Sequence, residues 1–260
     1  MMYKRKLAAA SFVRKSKLII GLDLVANTSN PKMIQGESDR IQQKALSIIE
    51  KTADYAAAFK INHHLVLPLG LFDGIPRILE AIHNAGLTAI MDCKANDIGD
   101  TNRQIARHYF DAGFDALIAN PFVGLEGGLD SIFEIAQAEH RGVITLCYMS
   151  HPASHEGYGL YATDNEKGKN MEPVYRMFAR RARNWDTDGV IVGATYPKII
   201  REVKSILGDA VPIISPGVGA QGASAREAID AGASYIIAAR SITNAEDPAH
   251  TAKSLVEEME

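Results

Sequence analysis

The chain has 260 residues, of which 47% are hydrophobic and 23% charged, enough apolar material for one large core or two small domains. A formal net charge of −3 excludes the basic surplus expected of a nucleic-acid protein. The two cysteines, Cys93 and Cys147, fall in apolar runs and offer neither a disulfide framework nor zinc spacing, which fits a reduced, cytoplasmic protein.

Residues 1–17 carry Lys4, Arg5, Lys6, Arg14, Lys15 and Lys17 around an apolar stretch, Leu7 to Val13, too short to span a membrane. More basic residues follow it and no small-residue cleavage site precedes the first strand, so a short helix laid across one end of the domain is expected. Eight short apolar runs then recur: Leu18–Leu24, Ala56–Ile61, Thr88–Cys93, Ala116–Asn120, Val143–Tyr148, Gly189–Gly193, Val211–Ser215 and Tyr235–Ala239. Most are continuously apolar rather than alternating, as parallel strands covered on both faces should be. Between them lie helix-like segments at Asp39–Tyr55, Ile75–Ala85, Thr101–Ala112, Leu125–Glu139, Val174–Asn184, Lys198–Leu207 and Ser224–Ala231, with Pro248–Glu258 closing the chain. Eight such units predict a (β/α)8 TIM barrel in one domain; a doubly wound open sheet of that size would leave two edges. Two long loops follow strand ends, where barrels build their sites: Ala26–Ser38, with Pro31 and Gly36, and Met149–Asn170, with His151 and His155.

The richest segment is Asp92-Cys93-Lys94-Ala95-Asn96-Asp97, at the end of the third run. Strand alternation puts Asp92 and Lys94 on one face and Cys93 on the other. A buried charge is costly unless paired or used, so packing alone does not account for this pair. The other strand ends supply Asp23, Lys60, Ser150, Ser215-Pro216-Gly217 and Arg240-Ser241. Singly each reads as a rim charge, a snorkelling lysine or, for Asp97, a helix N-cap. Together, Lys60, Asp92, Lys94 and Asp97 form an alternating array whose members hold one another charged, suited to protonating a developing carbanion. Ser215-Pro216-Gly217-Val218-Gly219-Ala220-Gln221-Gly222 is a glycine-rich turn leading toward a helix, and with Arg240 it predicts a phosphate site.

Other residues give less. Pro152 breaks any helical spacing between His151 and His155, no H-E-x-x-H is present, and His63-His64 reads as part of a polar loop. Ser150 lacks the context of a nucleophile elbow, Cys93 reads as a packed thiol, and Trp185 as packing.

At this level the chain resembles the orotidine 5′-monophosphate (OMP) decarboxylases over nearly its whole length, with an archaeal-type pattern. The resemblance rests on Leu22-Asp23, Phe59-Lys60-Ile61, the run from Asp92 to Thr101, Met149-Ser150-His151-Pro152, the run from Ser215 and Arg240-Ser241-Ile242. It implies conversion of OMP to UMP and carbon dioxide with neither metal nor organic cofactor. Lys94 would protonate C6 of the pyrimidine, Asp92 would face the substrate carboxylate, and Lys60 would bridge Asp92 and the ribose, which Asp23 also binds. Ser150 would meet the pyrimidine edge, while Gln221 and Arg240 hold the phosphate. Ile98, Pro216, Gly219 and Ala239 complete the implied substrate-binding set. Asp97 and Thr101 would reach the neighbouring subunit's site in a two-fold homodimer; neither nucleic acid nor membrane is implied as a partner.

Three departures stand out. Ala239 replaces the usual glycine before Arg240, the segment after Gln221 is short for a phosphate lid, and Met149–Asn170 is unusually long. Two rivals remain. A metal-dependent sugar-phosphate enzyme of the same suprafamily would need a glutamate near strand two, where Lys60 would repel Mg²⁺. A non-catalytic nucleotide sensor would have no use for an ammonium set beside a carboxylate.

Overall fold

The computed structural model describes residues 2–26, 34–163, 171–219 and 221–260. Five strands come first: β1 (Leu18–Leu22), β2 (Ala58–Asn62), β3 (Ala89–Ala95), β4 (Ala116–Ala119) and β5 (Gly142–Tyr148). A two-residue antiparallel ribbon, β6 (Tyr161–Ala162) with β7 (Glu172–Pro173), interrupts them. Then come β8 (Gly189–Val192), β9 (Ile213–Pro216) and β10 (Tyr235–Ala238). All but the ribbon pair in parallel, and β1 closes on β10 through Leu18 opposite Ile236, giving the expected eight-stranded barrel.

The strand residues explain the closure. β1, β4, β5, β8 and β10 are buried at every position, so neither face needs polar residues. Full burial of a side chain such as Phe59 or Ile61 contributes ~2 kcal/mol each, and closure leaves no unpaired edge.

The helices are α1 (Met2–Arg14), α2 (Ile34–Thr52), α3 (His63–Leu69), α4 (Ile75–Asn84), α5 (Gly99–Asp111), α6 (Asp130–Ala138), α7 (Val174–Asn184), α8 (Pro197–Leu207), α9 (Ala225–Asp230), α10 (Arg240–Thr243) and α11 (Pro248–Glu258). α4 shows the packing pattern: Ile75, Ile78, Leu79 and Ile82 recur at helical spacing and are all buried. α11 starts where Asp247 accepts the His250 N–H at 3.0 Å and Pro248 occupies the first turn.

α1 crosses the N-terminal end of the barrel. Tyr3 is fully buried against the first residue of β5, where a Cβ on Gly142 would lie 2.5 Å from its ring. The Lys4 N–H donates to Asp188, just before β8, and Lys6 reaches Asp115, just before β4. Arg14 donates to the carbonyls of Ala53 and Ala85, both at 2.6 Å.

The structure differs from the sequence expectation in four places. His63 and His64 open α3 instead of lying in a polar loop, and His63 packs edge-on to Tyr109. α2 begins at Ile34, so the loop expected to reach Ser38 is shorter; its residues 27–33, Pro31 among them, lie outside the described residues. The loop after β5 holds a 3-10 turn at Pro152–Glu156 and the β6 strand, with 164–170 outside the described residues. A four-residue helix, α10, starts directly at Arg240. Among the described residues no helix is long and apolar enough to cross a membrane.

Candidate active site

The C-terminal ends of the strands surround a cavity of about 250 Å³. Its floor is apolar, from Ile118, Leu146, Ile191 and Ile237, and its polar wall comes from β2 and β3. Lys60 on β2 places Nζ 2.9 Å from Oδ2 of Asp92, and Lys94 places Nζ 2.6 Å from Oδ1. The Lys60 and Asp92 side chains are buried, while Lys94 is one-third exposed and open to the cavity.

Simple strand alternation does not produce this arrangement. Met91 pairs with Leu117 and Ala95 with Ala119, so three residues of β3 face one residue of β4 across a bulge. Lys94 takes a left-handed backbone, φ +51°, which costs a non-glycine residue energy and is retained here at a charged strand end. The bulge keeps Asp92 and Lys94 together at the cavity, while Cys93 points its thiol toward the Ile118 carbonyl at 3.5 Å. Burial pushes that thiol up to about 12, which fits a packed cysteine rather than a nucleophile.

Burial alone would raise the Asp92 carboxyl. The Lys60 and Lys94 ammonium groups outweigh it and hold the group below the ordinary carboxylate range. Both carboxylate oxygens are engaged by ammonium groups.

Of the expected site residues, Asp23, Lys60, Asp92, Lys94, Ser150, Pro216, Gln221, Ala239 and Arg240 all line this one cavity. Four do not. Asp97 is exposed beyond the strand and accepts the Ile98 N–H at 2.8 Å, so the array within one chain has three charges, not four. Asp97 is also not the N-cap of α5; that position is Ile98, exposed, without a side-chain cap. Thr101 is exposed in the first turn of α5. Gly219 does not line the cavity, and its N–H is used within the turn, donating to the Ala223 carbonyl at 3.2 Å. Asn62 was missed, although it lies two residues beyond Lys60 on the same strand face; that spacing was the available signal.

The glycine-rich turn needs its glycines: Gly217, Gly219 and Gly222 have φ of +104°, +74° and +81°. The N-terminus of the helix that follows is filled from within the chain. Glu258 of α11 already accepts from Ala225 N at 2.9 Å and Arg226 N at 3.3 Å, filling the N-terminus of α9 with the chain's own carboxylate. The cavity side of the turn instead carries Gln221, which folds over Gly217 (a Cβ there would lie 2.9 Å from its Oε1 and 3.3 Å from Ser150 Cβ). Ser150 is itself fixed by the segment after β8: Thr195 Oγ1 donates to its carbonyl at 3.2 Å, and Gly193 leaves room for its backbone.

The sequence pattern of the orotidine 5′-phosphate decarboxylase / HUMPS family matches residues 16–255. The orotidine 5′-phosphate decarboxylase of Methanosarcina acetivorans is 36% identical over 84% of this chain and 90% of its own length. That of Methanosarcina barkeri is 35% identical over 95% of this chain and 96% of its own. The chain belongs to the orotidine 5′-phosphate decarboxylase family. Among solved structures, the family member from Methanocaldococcus jannaschii, complexed with inhibitor BMP, superposes with a TM-score of 0.75 at 27% identity, covering 94% of this chain and 98% of that one. Family membership makes the chain a carboxy-lyase.

One departure from the family pattern has a structural counterpart. The methyl of Ala239 occupies space that Gly21 leaves on β1; a Cβ on Gly21 would lie 2.8 Å from it. The alanine is accommodated by the neighbouring strand rather than by the phosphate turn.

Proposed function

We propose that this single barrel domain converts OMP to UMP and carbon dioxide by direct, metal-free decarboxylation, with Lys94 as the proton donor. The observation that carries the proposal is the Lys60–Asp92–Lys94 chain of contacts, 2.9 and 2.6 Å, at the wall of a cavity with an apolar floor.

The chemistry follows from that placement. Breaking the bond between C6 and the carboxylate leaves an electron pair in the ring plane, where the π system cannot take it up. Fixed positive charge aimed at C6 must stabilise it. Lys94 supplies that charge and then the proton: a C6–H bond forms, the ammonium becomes an amine, and solvent reprotonates it. Asp92 holds Lys94 in place and faces the departing carboxylate, while Lys60 neutralises the other Asp92 oxygen. The two ammonium groups on the Asp92 oxygens neutralise its charge and would repel a metal ion, which favours the metal-free route over a sugar-phosphate enzyme of the suprafamily.

The other roles follow the cavity wall. Asp23 and Lys60 bind ribose, Ser150 meets the pyrimidine edge, and Pro216, Gln221, Ala239 and Arg240 surround the phosphate. Binding energy from that distant group then closes and aligns the site. Asp97, Ile98 and Thr101, exposed on their own chain, complete the site of a partner subunit in a two-fold dimer in the cytoplasm.

The purified protein is expected to consume OMP, followed by absorbance, at the same rate with or without excess EDTA. Loss of activity in EDTA would revive the metal-dependent reading; UMP binding by calorimetry without OMP consumption would indicate a sensor. Mixing inactive Lys94→Ala and Asp97→Ala proteins is expected to restore part of the activity in hybrid dimers. No recovery, with subunit exchange verified, would refute shared sites.

A further inference from the structure

Beside the main cavity lies a second one of about 270 Å³, between the end of β1, α2 and α10. Asp23 and Arg240 line both, so the second cavity is an annex of the first. The rest of its polar lining is basic or amide. Arg40 and Lys44 lie one turn apart on α2, and Asn244 lies one turn beyond Arg240 at the end of α10.

The donors here converge on one cavity and are largely uncompensated. Several cations elsewhere around the barrel are paired, as in Arg103–Glu134, Arg180–Glu172, Arg226–Asp230 and Lys204–Asp209. In the annex Arg40 is paired with Glu37 at 2.6 Å, but among the described residues the Lys44, Arg240 and Asn244 side chains have no ion-pair or hydrogen-bond partner. The single carboxylate, Asp23, stands at the junction with the main cavity. Three unpartnered, solvent-exposed donors around one cavity form a site for an anion next to the one that Arg240 serves.

We propose that the annex is a second anion subsite, taking the outer phosphoryl group of a nucleoside 5′-diphosphate whose inner phosphate lies between Gln221 and Arg240. The proposal rests on the reading of Arg240 as a substrate-phosphate ligand. The planar guanidinium can donate to both phosphoryl groups, Lys44 adds a point charge, and the Asn244 amide adds a neutral donor. Nucleoside diphosphates arise from monophosphates by phosphoryl transfer. Occupancy of the annex therefore lets a product of that next class of reaction compete with the substrate.

The test is calorimetry of the full chain with UMP and with UDP, in EDTA, at low and high salt, alongside OMP consumption on the same sample. UDP is expected to bind at least as tightly as UMP, to compete with OMP, and to lose its advantage as salt rises, because the donors are exposed. Lys44→Gln combined with Asn244→Ala is expected to lower UDP affinity about tenfold more than UMP affinity, the scale of one charge-assisted hydrogen bond. Lys44→Glu should widen that gap. Either of two results overturns the subsite: UDP binding tenfold weaker than UMP in the unmodified chain, or variants that weaken both nucleotides equally. If UMP itself fails to bind, the assignment of Arg240 falls as well; if UMP binds and OMP is consumed, only the annex is at stake.

Discussion

Both ends of the barrel hold a buried aspartate whose carboxyl is kept below its usual range by its partners, but the two are built differently. At the N-terminal end, Asp115 accepts the Ala89 N–H at 3.0 Å and lies 2.9 Å from His83 Nε2, with Lys6 and Arg141 at 3.5 Å. Burial raises this carboxyl, and the His83 and Ala89 hydrogen bonds more than offset it. Its partners come from a strand, two helices and a loop, so it ties elements together. At the C-terminal end, Asp92 has two lysine side chains, no backbone donor among its hydrogen bonds, and an open cavity beside it. The same ion pairing is structural where the carboxylate is satisfied by backbone, and chemical where its partners remain free to face a ligand.

Substitutions at the two ends should separate these roles. Asp92→Asn leaves two ammonium groups facing each other without a counter-charge, and turnover should fall by about 10³-fold or more, read as kcat for OMP. Gly193→Ala places a Cβ 2.6 Å from Ser150 Cα, and displacing that residue should lower kcat/KM by roughly 10²-fold.

Asp115→Asn acts on stability instead. It should lower the unfolding free energy by about 1–3 kcal/mol, measured in denaturant near pH 7, while the folded fraction keeps its kcat. The pH dependence has a fixed sign. A carboxyl lowered in the folded state contributes stability that is fully present above its unfolded value, about 4, and is lost as pH falls through the lower folded value. The deficit of the variant should therefore be constant above about pH 5 and shrink below pH 4. A deficit that grows on acidification would contradict the placement of Asp115 among cations.

How much of this was legible in the sequence depended on the range of the contacts involved. All eight barrel strands were visible because burial on both faces writes continuous apolar runs such as Leu18-Ile19-Ile20. Lys60, Asp92 and Lys94 were visible because packing alone does not place charge at the end of such a run. The bulge and the left-handed Lys94 were not, since both depend on how β3 pairs with β4. α3 was hidden behind two histidines and an internal Pro68, and α10 by its four-residue length. The sealing of α9 by Glu258 joins residues more than thirty positions apart, beyond any local pattern. Asn62 was the avoidable omission, because strand periodicity from Lys60 pointed to it.

The central claim is that the C-terminal charge array performs the reaction without being needed for the fold, and Lys94→Ala tests it most directly. OMP turnover and UMP binding should be measured on the same purified variant. Turnover should fall by about 10⁴-fold or more, with UMP affinity and the unfolding transition close to those of the unmodified chain. Normal turnover in Lys94→Ala would contradict the assignment.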